Sequence, residues 1–437
     1  MHLLRTTPGG FVDDTQGVIR IDQQPAEIVV LSSADTTLAL LASVVPRLPA
    51  GFPSVRLANV TYLRQPASVD FYVDDVLQHA RVVVVDHLGG ETYWPYGIEQ
   101  VVSLAERRGQ LLAMFSGDLQ EDPNLIAKSR AEPEFCRLLW RYLREGGAGN
   151  AESFLRALAW RAFDWGSEPA PPIALPAAAL YCPQRDVATI DEWRVRWQPG
   201  APVVALLFYK AHLQAANTAA FDALIDALLA RGLNPLPLAI TSLKDTLSRD
   251  VLDQLAAEHD VSLVLNTTAF AASSLDDPEP IALAGDAPVL QVILSGGNRE
   301  DWVKDNHGLN SRDIAMHIAL PEVDGRVITR AISFKGLAYH CKETQVDVVR
   351  YQPDAERVAF VAELARRWCR LRSLPNAEKK LALVLANYPM SEGRIGNGVG
   401  LDTPASVVGI LRMLRDEGYR VADLPEDGDA LMRILTQ

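Results

Sequence analysis

The most informative group of reactive side chains follows the run of valines that ends at Asp86. His87 and Glu91 bring an imidazole and a carboxylate, which can act as acids, bases or ligands, and the glycines between them let a ligand approach the backbone. Tyr93 and Trp94 add aromatic faces for stacking. We predict catalytic roles for His87 and Glu91 and substrate-binding roles for Tyr93 and Trp94. An ordinary glycine turn with aromatic packing is the alternative interpretation.

A second group of polar side chains follows the apolar run at residues 203–208. Tyr209, Lys210 and His212 place a phenol, a cation and an imidazole at one predicted strand end, where they could hold a carboxylate or amide rim. We predict substrate binding by Tyr209 and Lys210 and catalysis by His212. Asn266 ends another predicted strand and is a further substrate-binding candidate. Solvated side chains at a helix cap, and a polar turn at Asn266, are the alternatives.

Two further histidines lead to different interpretations. His307 lies in a polar loop from which it could reach a site, and we predict a catalytic role for it. His317 shares helical spacing with Ile314 and Ile318 on an apolar face, so a buried core histidine is the preferred interpretation. Residues 295–298 follow a predicted strand and form either an amide nest for an anion or a plain turn.

A glycine-rich segment between a predicted strand and a predicted helix is the last candidate site. Arg394, Gly396 and Gly398 are predicted to bind substrate, because backbone N–H groups before a helix can hold a phosphate or carboxylate. Thr403 can cap that helix. The segment is not a G-x-x-x-x-G-K-[ST] loop, and the chain contains no Gly-Lys pair. Zinc-spaced Cys/His clusters are also absent from the sequence. The metal ligands therefore stay unknown, and we predict no cofactor bound by this chain.

The elements that position these residues alternate between apolar runs and amphipathic segments. Continuous β-branched runs separated by helices predict parallel sheets that are covered on both faces. The predicted fold class is therefore α/β, with two doubly wound flavodoxin- or Rossmann-like domains and the start of a third. The predicted strands lie at residues 27–31, 55–62, 81–86 and 111–115, then at 202–209, 236–240, 261–266 and 289–294, and finally at 381–387.

Proline density indicates where the domains meet. Four prolines lie within residues 167–178, and this density disfavours both helix and strand pairing. We predict an N-terminal α/β domain over residues 1–168, a proline-rich linker over 169–200 and a second α/β domain over 201–375. Residues 376–437 hold too few elements to bury a core independently. They are predicted to be the truncated beginning of a third α/β domain.

Composition and charge disfavour several classes of protein. The 437 residues carry a formal net charge of −13, whereas broad nucleic-acid binding requires a basic face. Four cysteines without a C-x-x-C pair fit a reducing compartment. No apolar stretch approaches the roughly 20 residues that span a bilayer, and the N-terminus lacks the apolar core of an export signal. We predict a cytoplasmic protein without nucleic-acid or membrane partners.

Several segments resemble the large subunit of cobaltochelatases. The most specific is Glu-Gly-Arg-Ile-Gly-Asn-Gly-Val-Gly-Leu-Asp-Thr-Pro-Ala-Ser at residues 392–406. Residues 377–381 are similar to the more distant porphyrin-binding subunit of magnesium chelatases. The resemblance spans essentially the whole chain, but members of the family are several times longer, so we expect an N-terminal portion of such a subunit. The other matching segments are residues 206–212, 288–297, 318–325, 332–335 and 376–424.

The resemblance implies ATP-dependent insertion of Co²⁺ into hydrogenobyrinic acid a,c-diamide during cobalamin biosynthesis, a ligase reaction that forms nitrogen–metal bonds. Co²⁺ is then a substrate rather than a bound cofactor. The resemblance also implies two smaller partner subunits, including an AAA+ ATPase, which carry the ATP and Mg²⁺. We expect this segment alone to be inactive. The alternatives are a non-catalytic docking module for the ATPase partners and a magnesium-chelatase-type porphyrin-binding subunit.

Overall fold

The structure is a computed structural model in which two compact units are present, Met1–Arg366 and Arg367–Gln437. Both large sheets lie in the first unit. Among the helices of the described residues, none combines the length and the apolar character that crossing a membrane requires. The structure describes residues 6–7, 10–11, 17–183, 187–273, 283–304, 308–386, 396, 398 and 400–436.

The first large sheet is built from short apolar strands. A small antiparallel pair, β1 (Thr6–Thr7) and β2 (Gly10–Phe11), precedes it. The sheet itself comprises β3 (Ile28–Ser32), β4 (Val55–Asn59), β5 (Val82–His87) and β6 (Leu111–Ser116). Its strands are parallel and lie in the order β4-β3-β5-β6. Every residue of β3 and β5 is buried, as expected for a parallel sheet with helices on both faces.

The helices of this region cover the two faces of the first sheet. They are α1 (Asp35–Val44), α2 (Pro66–Asp75), α3 (Pro95–Arg108), α4 (Pro123–Ala127), α5 (Pro133–Glu145) and α6 (Ala148–Phe163). Val82 and Val84 pack with α1, α5 and α6, whereas Val83 and Val85 pack with α2 and α3. Successive side chains of β5 therefore point to opposite faces of the sheet and pack into two different hydrophobic cores.

The second large sheet repeats this strand order and adds one further parallel strand and an antiparallel strand at each edge. It comprises β7 (Ala178–Leu180), β8 (Val203–Tyr209), β9 (Asn234–Ile240), β10 (Val261–Asn266), β11 (Val289–Ser295), β12 (Val327–Cys341) and β13 (Val346–Pro353). The spatial order is β13-β12-β11-β10-β8-β9-β7. In both sheets the second α/β strand lies outside the first and the third lies inside it, which is the flavodoxin-like order. The predicted α/β fold class is confirmed.

The helices of the second sheet region are shorter and include a π-helical turn. They are α7 (Ile190–Arg194), α8 (Lys210–Gln214), α9 (Ala219–Leu229), α10 (Thr246–His259), α11 (Arg299–Lys304), α12 (Ser311–Ile314), α13 (Leu320–Val323) and α14 (Ala355–Ser373). The π-helical turn spans Ala315–Ala319, between α12 and α13.

A long β-arm joins the second sheet to the first. Strand β12 pairs with β11 only as far as Phe334, so the rest of the β12–β13 hairpin, residues 335–352, extends beyond the sheet; we call it the arm. At its tip Thr344 O accepts a hydrogen bond from Leu57 N of β4 at 3.3 Å, and Arg350 donates to Ala39 O of α1 at 2.9 Å. This hairpin could not be predicted from the sequence, because the burial along β12 follows no regular alternation.

The predicted linker segment, residues 169–200, contains regular structure of its own. It includes the edge strand β7 and the helix α7, whose start is fixed by a capping box between Thr189 and Glu192. Before β7, Asn150 of α6 exchanges two hydrogen bonds with the backbone of Ile173, at 2.8 and 2.9 Å. This part of the chain therefore lies against the first sheet region. The domain boundaries given above stay a prediction.

The second unit contains α15 (Thr403–Asp416) and α16 (Gly428–Leu435), which pack through Val407, Val408 and Leu431. The predicted strand at residues 381–387 is wrong for its described part, since residues 381–386 have no regular secondary structure. An apolar run becomes a strand only when its backbone groups find a hydrogen-bonded neighbour. Val384 is 91% exposed, whereas Leu385 packs against the small core of α15 and α16 without forming a strand.

Candidate functional site

Both sheets have a point at which consecutive connections leave in opposite directions. In the first sheet it lies between β3 and β5, and in the second between β8 and β10. The carboxyl ends of strands at such a point form a crevice, which is where doubly wound sheets bind ligands. Most of the described candidate residues follow β5, β8 or β10 and so belong to one of these two carboxyl edges.

His87 is the last residue of β5 and lies inside the first carboxyl edge. The side chain belongs to the face of Val83 and Val85, and its ring centroid is 6.0 Å from that of Trp94. The residue is only 5% exposed, and neither ring nitrogen has a hydrogen-bond partner among the described residues. Burial lowers the pKa of His87 to about 4. At neutral pH this imidazole is therefore neutral and can donate a nitrogen lone pair to a metal ion, but it is a weaker base than a solvated histidine.

The other predicted residues of this edge divide between core and surface. Trp94 is 4% exposed and its Nε1 donates to Leu63 O at 2.7 Å, so its ring belongs to the core beside α2 and α3. Tyr93 is exposed and packs over Gly89, where a Cβ would lie 2.7 Å from the Tyr93 ring. Glu91 forms an exposed ion pair with Lys128 at 2.5 Å. His87 and Trp94 thus face inward, whereas Glu91 and Tyr93 remain accessible.

A buried ion pair lies on the opposite side of the same strand end. Asp86 is fully buried, and its carboxylate accepts hydrogen bonds from Arg144 Nη2 of α5 and from Ser32 Oγ of β3, both at 2.7 Å. Arg144 also donates to Gly117 O, just after β6. From the sequence, Asp86 could be recognised only as a strand end, since its partner lies 58 residues away in the chain.

At the second carboxyl edge, the predicted binding residues are largely engaged by the protein itself. Tyr209 Oη donates to Ala269 O at 2.9 Å, and burial raises the pKa of its phenol. Lys210 opens α8 and its Nζ lies 3.4 Å from Leu175 O. Asn266 is fully buried, and its Nδ2 donates to Gln291 Oε1 at 2.8 Å. Lys210 is therefore the residue of this set whose charge can most readily meet a ligand.

His212 lies on α8 beside a second histidine that the sequence analysis treated as core. Its ring centroid is 5.1 Å from Phe221 and 5.5 Å from Tyr351. Burial, and secondarily the positive charge of His317, lower the pKa of His212 to about 4. Burial also lowers the pKa of His317, and its Nδ1 has no partner among the described residues. Two neutral imidazoles thus lie within electrostatic reach of each other at this edge.

The position of His317 could not be obtained from helical spacing. Residues 315–319 form a π-helical turn, which adds a residue to the turn and rotates the side chains that follow. His317 is half-buried, while Ile314 on the same predicted face is 43% exposed. Tyr351, whose pKa burial raises to about 12, comes from the unpredicted strand β13. These two residues are the main additions of the structure to the candidate site.

The segment at residues 295–298 does not offer a row of free backbone amides to an anion, because Gly296 N donates to the side chain of Asp313 and Gly297 N donates to Ser295 Oγ. Asp313 is 5% exposed and accepts hydrogen bonds from Ser295 Oγ at 2.8 Å, Gly296 N at 3.0 Å and Asn310 Nδ2 at 3.1 Å. An external anion would have to displace this carboxylate. The structure therefore favours a structural role for these amides.

Asp313 provides a direct test of that role. Asp313→Ala leaves three donors without their acceptor, and each donor that water cannot reach costs about 1–3 kcal/mol, so the variant is expected to lower the free energy of unfolding by at least about 2 kcal/mol. Asp301→Ala, which removes an exposed carboxylate on α11, is the control and should change it by less than about 0.5 kcal/mol. Urea titrations at pH 7 measure both. Equal effects would show that the hydrogen bonds to Asp313 do not stabilise the protein measurably.

The remaining candidates either lie in the second unit or are outside the described residues. His307 and Arg394 are outside the described residues. Gly396 has a φ of +68°, which favours glycine, and Gly398 forms a bridge with Leu401 just before α15. Asp402 rather than Thr403 caps this helix, through a hydrogen bond from Ala405 N at 3.0 Å.

A bound metal would need a cluster of ligands that the described part of the chain does not contain. No group of three or more His, Cys, Asp or Glu side chains in the described residues is arranged to hold an ion. All four cysteines are free and buried. A polar groove of about 330 Å³ lies elsewhere, between the N-terminal segment and the tip of the arm, and is lined by Asp22, Gln24, His340, Lys342 and Gln345.

Comparisons with known proteins identify the family. The sequence model of the family described as CobN/Magnesium Chelatase matches residues 140–437. The aerobic cobaltochelatase subunit CobN of Pseudomonas aeruginosa is 52% identical over an alignment that covers 100% of this chain and 35% of the relative. The subunit of the same name from a Sinorhizobium species is 40% identical with the same coverage. The chain thus spans about a third of the length of these relatives.

A solved structure supports the same assignment. The catalytic subunit of cobaltochelatase from Mycobacterium tuberculosis matches with a TM-score of 0.72 and 31% identity, over 93% of this chain and 32% of that chain. A magnesium-chelatase subunit of Rhodobacter capsulatus is more distant, with 27% identity over 66% of this chain and 26% of the relative. With a family match over more than half of its residues and CobN relatives aligned along its whole length, the chain belongs to the CobN/magnesium chelatase family.

Proposed function

We propose that this chain is the tetrapyrrole-holding N-terminal part of a cobaltochelatase large subunit in cobalamin biosynthesis. Its ring substrate is hydrogenobyrinic acid a,c-diamide and its metal substrate is Co²⁺. The observation that carries this proposal is the presence of imidazoles that are neutral at pH 7 at both carboxyl edges, the buried His87 at one and the half-buried His212 and His317 at the other. Membership of the family and the names of the CobN relatives support the choice of metal and pathway.

Metal insertion needs groups with the properties of these histidines. Ring nitrogens must lose protons, and a hydrated divalent ion must exchange water for nitrogen ligands. A neutral imidazole can accept a proton and can also act as a transient ligand for Co²⁺. A histidine with its pKa lowered to about 4 is unprotonated across the neutral range. We assign this role to His87 and His212, with His307 and Glu91 as the further predicted catalytic residues.

The ring must also be held by its rim. The net charge of −13 repels an anionic ring at long range, so local cations and amides are needed. Lys210 at the second carboxyl edge is our candidate for holding the rim in the first unit. Arg394, Gly396 and Gly398 in the glycine-rich segment are a separate candidate, in the second unit. Tyr93 offers an exposed aromatic face at the first edge. Tyr209, Asn266 and Trp94 act through the packing of these edges, because their polar atoms are engaged within the protein.

ATP hydrolysis belongs to other polypeptides in this proposal. The chain has no phosphate-binding Gly-Lys motif. We therefore assign ATP and Mg²⁺ to two smaller chelatase subunits, one of them an AAA+ ATPase, and expect this segment alone to be inactive in chelation. The reaction takes place in the cytoplasm.

The proposal is tested by titrating the chain with the corrinoid. His87→Ala and His212→Ala are each expected to weaken binding about tenfold, which corresponds to about 1.4 kcal/mol. His79→Ala, a change at an exposed histidine, is the control and should leave the affinity unchanged. Absorbance titrations with hydrogenobyrinic acid a,c-diamide give the dissociation constants, and thermal unfolding verifies that each variant is folded. Equal affinities for all four proteins would contradict the assignment.

A second candidate function is a docking module for the ATPase subunits that binds no ring. The engagement of Trp94 and Asn266 within the protein favours it, since these residues then serve the fold alone. The same titration decides, because a docking module shows no corrinoid binding at all. A parallel titration with a porphyrin separates the cobaltochelatase proposal from a magnesium-chelatase-type subunit, which would prefer the porphyrin.

A further inference from the structure

The end of helix α5 connects the carboxyl edges of the two sheets. On the side of the first sheet, Arg144 holds Asp86 at 2.7 Å and also bonds to Gly117 O, so it contacts the ends of β5 and β6. On the side of the second sheet, the carbonyls of Arg144 and Glu145 accept hydrogen bonds from Gln214 Nε2 at 3.0 and 3.2 Å. Gln214 is the last residue of α8, which begins where β8 ends.

The contact between the two helix ends depends on a glycine. Any other residue at this position would force the backbone of α5 or α8 to move. Gly146 has a φ of +67°, and a Cβ at this position would lie 2.7 Å from both the Cβ and the carbonyl oxygen of Gln214. Contacts below 3.0 Å with backbone atoms cannot be relieved by rotating a side chain. Gly147 N then donates to Gln214 O at 2.7 Å. The backbones of the two helix ends therefore meet directly.

The residues that connect the two edges are close in sequence to the candidate histidines. Asp86 directly precedes His87 in β5, and Gln214 lies two residues after His212 in α8. A displacement of α5 against α8 would therefore change the spacing between these two imidazoles. The arm provides another attachment, but it ends on α1 and β4. If the arm alone joined the two sheet regions, one region could rotate about it relative to the other. The contact between α5 and α8 lies elsewhere and therefore restricts that rotation.

We propose that Arg144, Gly146 and Gln214, which we call the α5–α8 junction, act as positioning residues that set the spacing between the two carboxyl edges for one ligand in contact with both. This inference rests on the proposed function, because a macrocycle held by both edges is the ligand that needs a fixed spacing. Rigid placement of binding groups lowers the ordering cost that the ligand must otherwise overcome. The junction residues themselves need not touch the ring.

Spin labels measure the spacing without any ligand. The four native cysteines are buried, so cysteines introduced at the exposed residues Glu106 of α3 and Ala257 of α10 can be labelled selectively. In this background Gly146→Ala adds a Cβ that clashes with Gln214. Gln214→Leu removes the two side-chain hydrogen bonds to Arg144 O and Glu145 O without adding bulk at the glycine. Pulsed electron paramagnetic resonance should give a narrow distance distribution for the parent protein. We expect a broadened or shifted distribution for both variants.

Gly149→Ala is the matched control. Gly149 lies in α6, three residues after Gly146, and an added Cβ would meet no atom within 4 Å. It should leave both the distance distribution and the corrinoid affinity unchanged. Gly146→Ala and Gln214→Leu should weaken the affinity for hydrogenobyrinic acid a,c-diamide about tenfold, or about 1.4 kcal/mol. Gln214→Leu covers the case in which Gly146→Ala does not fold.

The outcomes separate this inference from the proposed function. Unchanged distances in Gln214→Leu, or changed distances with the parental corrinoid affinity, would overturn the positioning role. If the parent protein binds no corrinoid while the distances change in both variants but not in Gly149→Ala, the proposed function fails and the junction still sets the spacing. Changed distances together with weakened binding support both.

Discussion

Replacing Arg144 by methionine is expected to lower the free energy of unfolding by about 3–5 kcal/mol, because removing one partner of a buried ion pair leaves the other charge uncompensated. Asp86 is fully buried and its carboxylate lies 2.7 Å from Arg144 Nη2, whose side chain is 14% exposed. Ser32 Oγ would remain as a donor to Asp86, but a hydroxyl dipole does not balance a full charge. Urea unfolding at pH 7, followed by tryptophan fluorescence, measures the loss.

The same helix provides a control for this prediction. Arg137 of α5 pairs with Glu121 at 2.7 Å, but the two side chains are 46% and 33% exposed. Arg137→Met should therefore cost at most about 1 kcal/mol, the usual range for exposed pairs. The double variant Asp86→Asn with Arg144→Met should recover part of the loss, since it no longer buries an unpaired charge. Equal effects of Arg137→Met and Arg144→Met would contradict the explanation.

The sheets could be predicted because their sequence pattern is local. The valine run in β5 and the apolar runs in β3 and β8 are continuous, and burial on both faces of a parallel sheet favours that pattern. The strand ends then indicated where polar residues would gather. For this reason the sequence alone indicates His87, Lys210 and His212 as candidates.

What the sequence could not provide is how each side chain is used. Trp94 and His87 carry no signal that distinguishes a buried ring from an exposed one, and only the packing of α2 and α3 decides it. His317 depends on a π-helical turn, and Tyr351 depends on a hairpin whose burial does not alternate. The contact of Gly146 with Gln214 joins residues 68 positions apart. In the sequence, Gly146 cannot be distinguished from an ordinary glycine at the end of a helix. Pairings of this kind are set by tertiary packing.

His87 should make the stability of the protein depend on pH. Its pKa is lowered from 6.5 to about 4 in the folded chain by burial, whereas the unfolded chain has the ordinary value of about 6.5. Between these two values the unfolded state binds a proton that the folded state does not, so stability is lost as the pH falls from 6.5 towards 4. One pKa unit corresponds to about 1.4 kcal/mol, so the loss through His87 approaches about 3 kcal/mol.

His87→Leu isolates this contribution from those of the carboxylates that titrate in the same range. Leucine needs no hydrogen-bond partner, whereas both ring nitrogens of His87 lack one among the described residues. The variant is therefore expected to be at least as stable as the parent at pH 7.5, since burying an unsatisfied polar group costs about 1–3 kcal/mol. The difference in its favour should grow by about 2–3 kcal/mol between pH 7.5 and pH 4.5.

Urea titrations of the parent, His87→Leu and the exposed-site control His79→Leu at both pH values test this expectation. The control should follow the parent at each pH, because His79 is solvent-exposed. A His87→Leu variant that is destabilised by the same amount at both pH values would show that the imidazole is satisfied in the protein and that its pKa is not lowered. A variant that gains stability while losing corrinoid affinity would mean that His87 is kept at this position at the expense of stability, as binding residues often are.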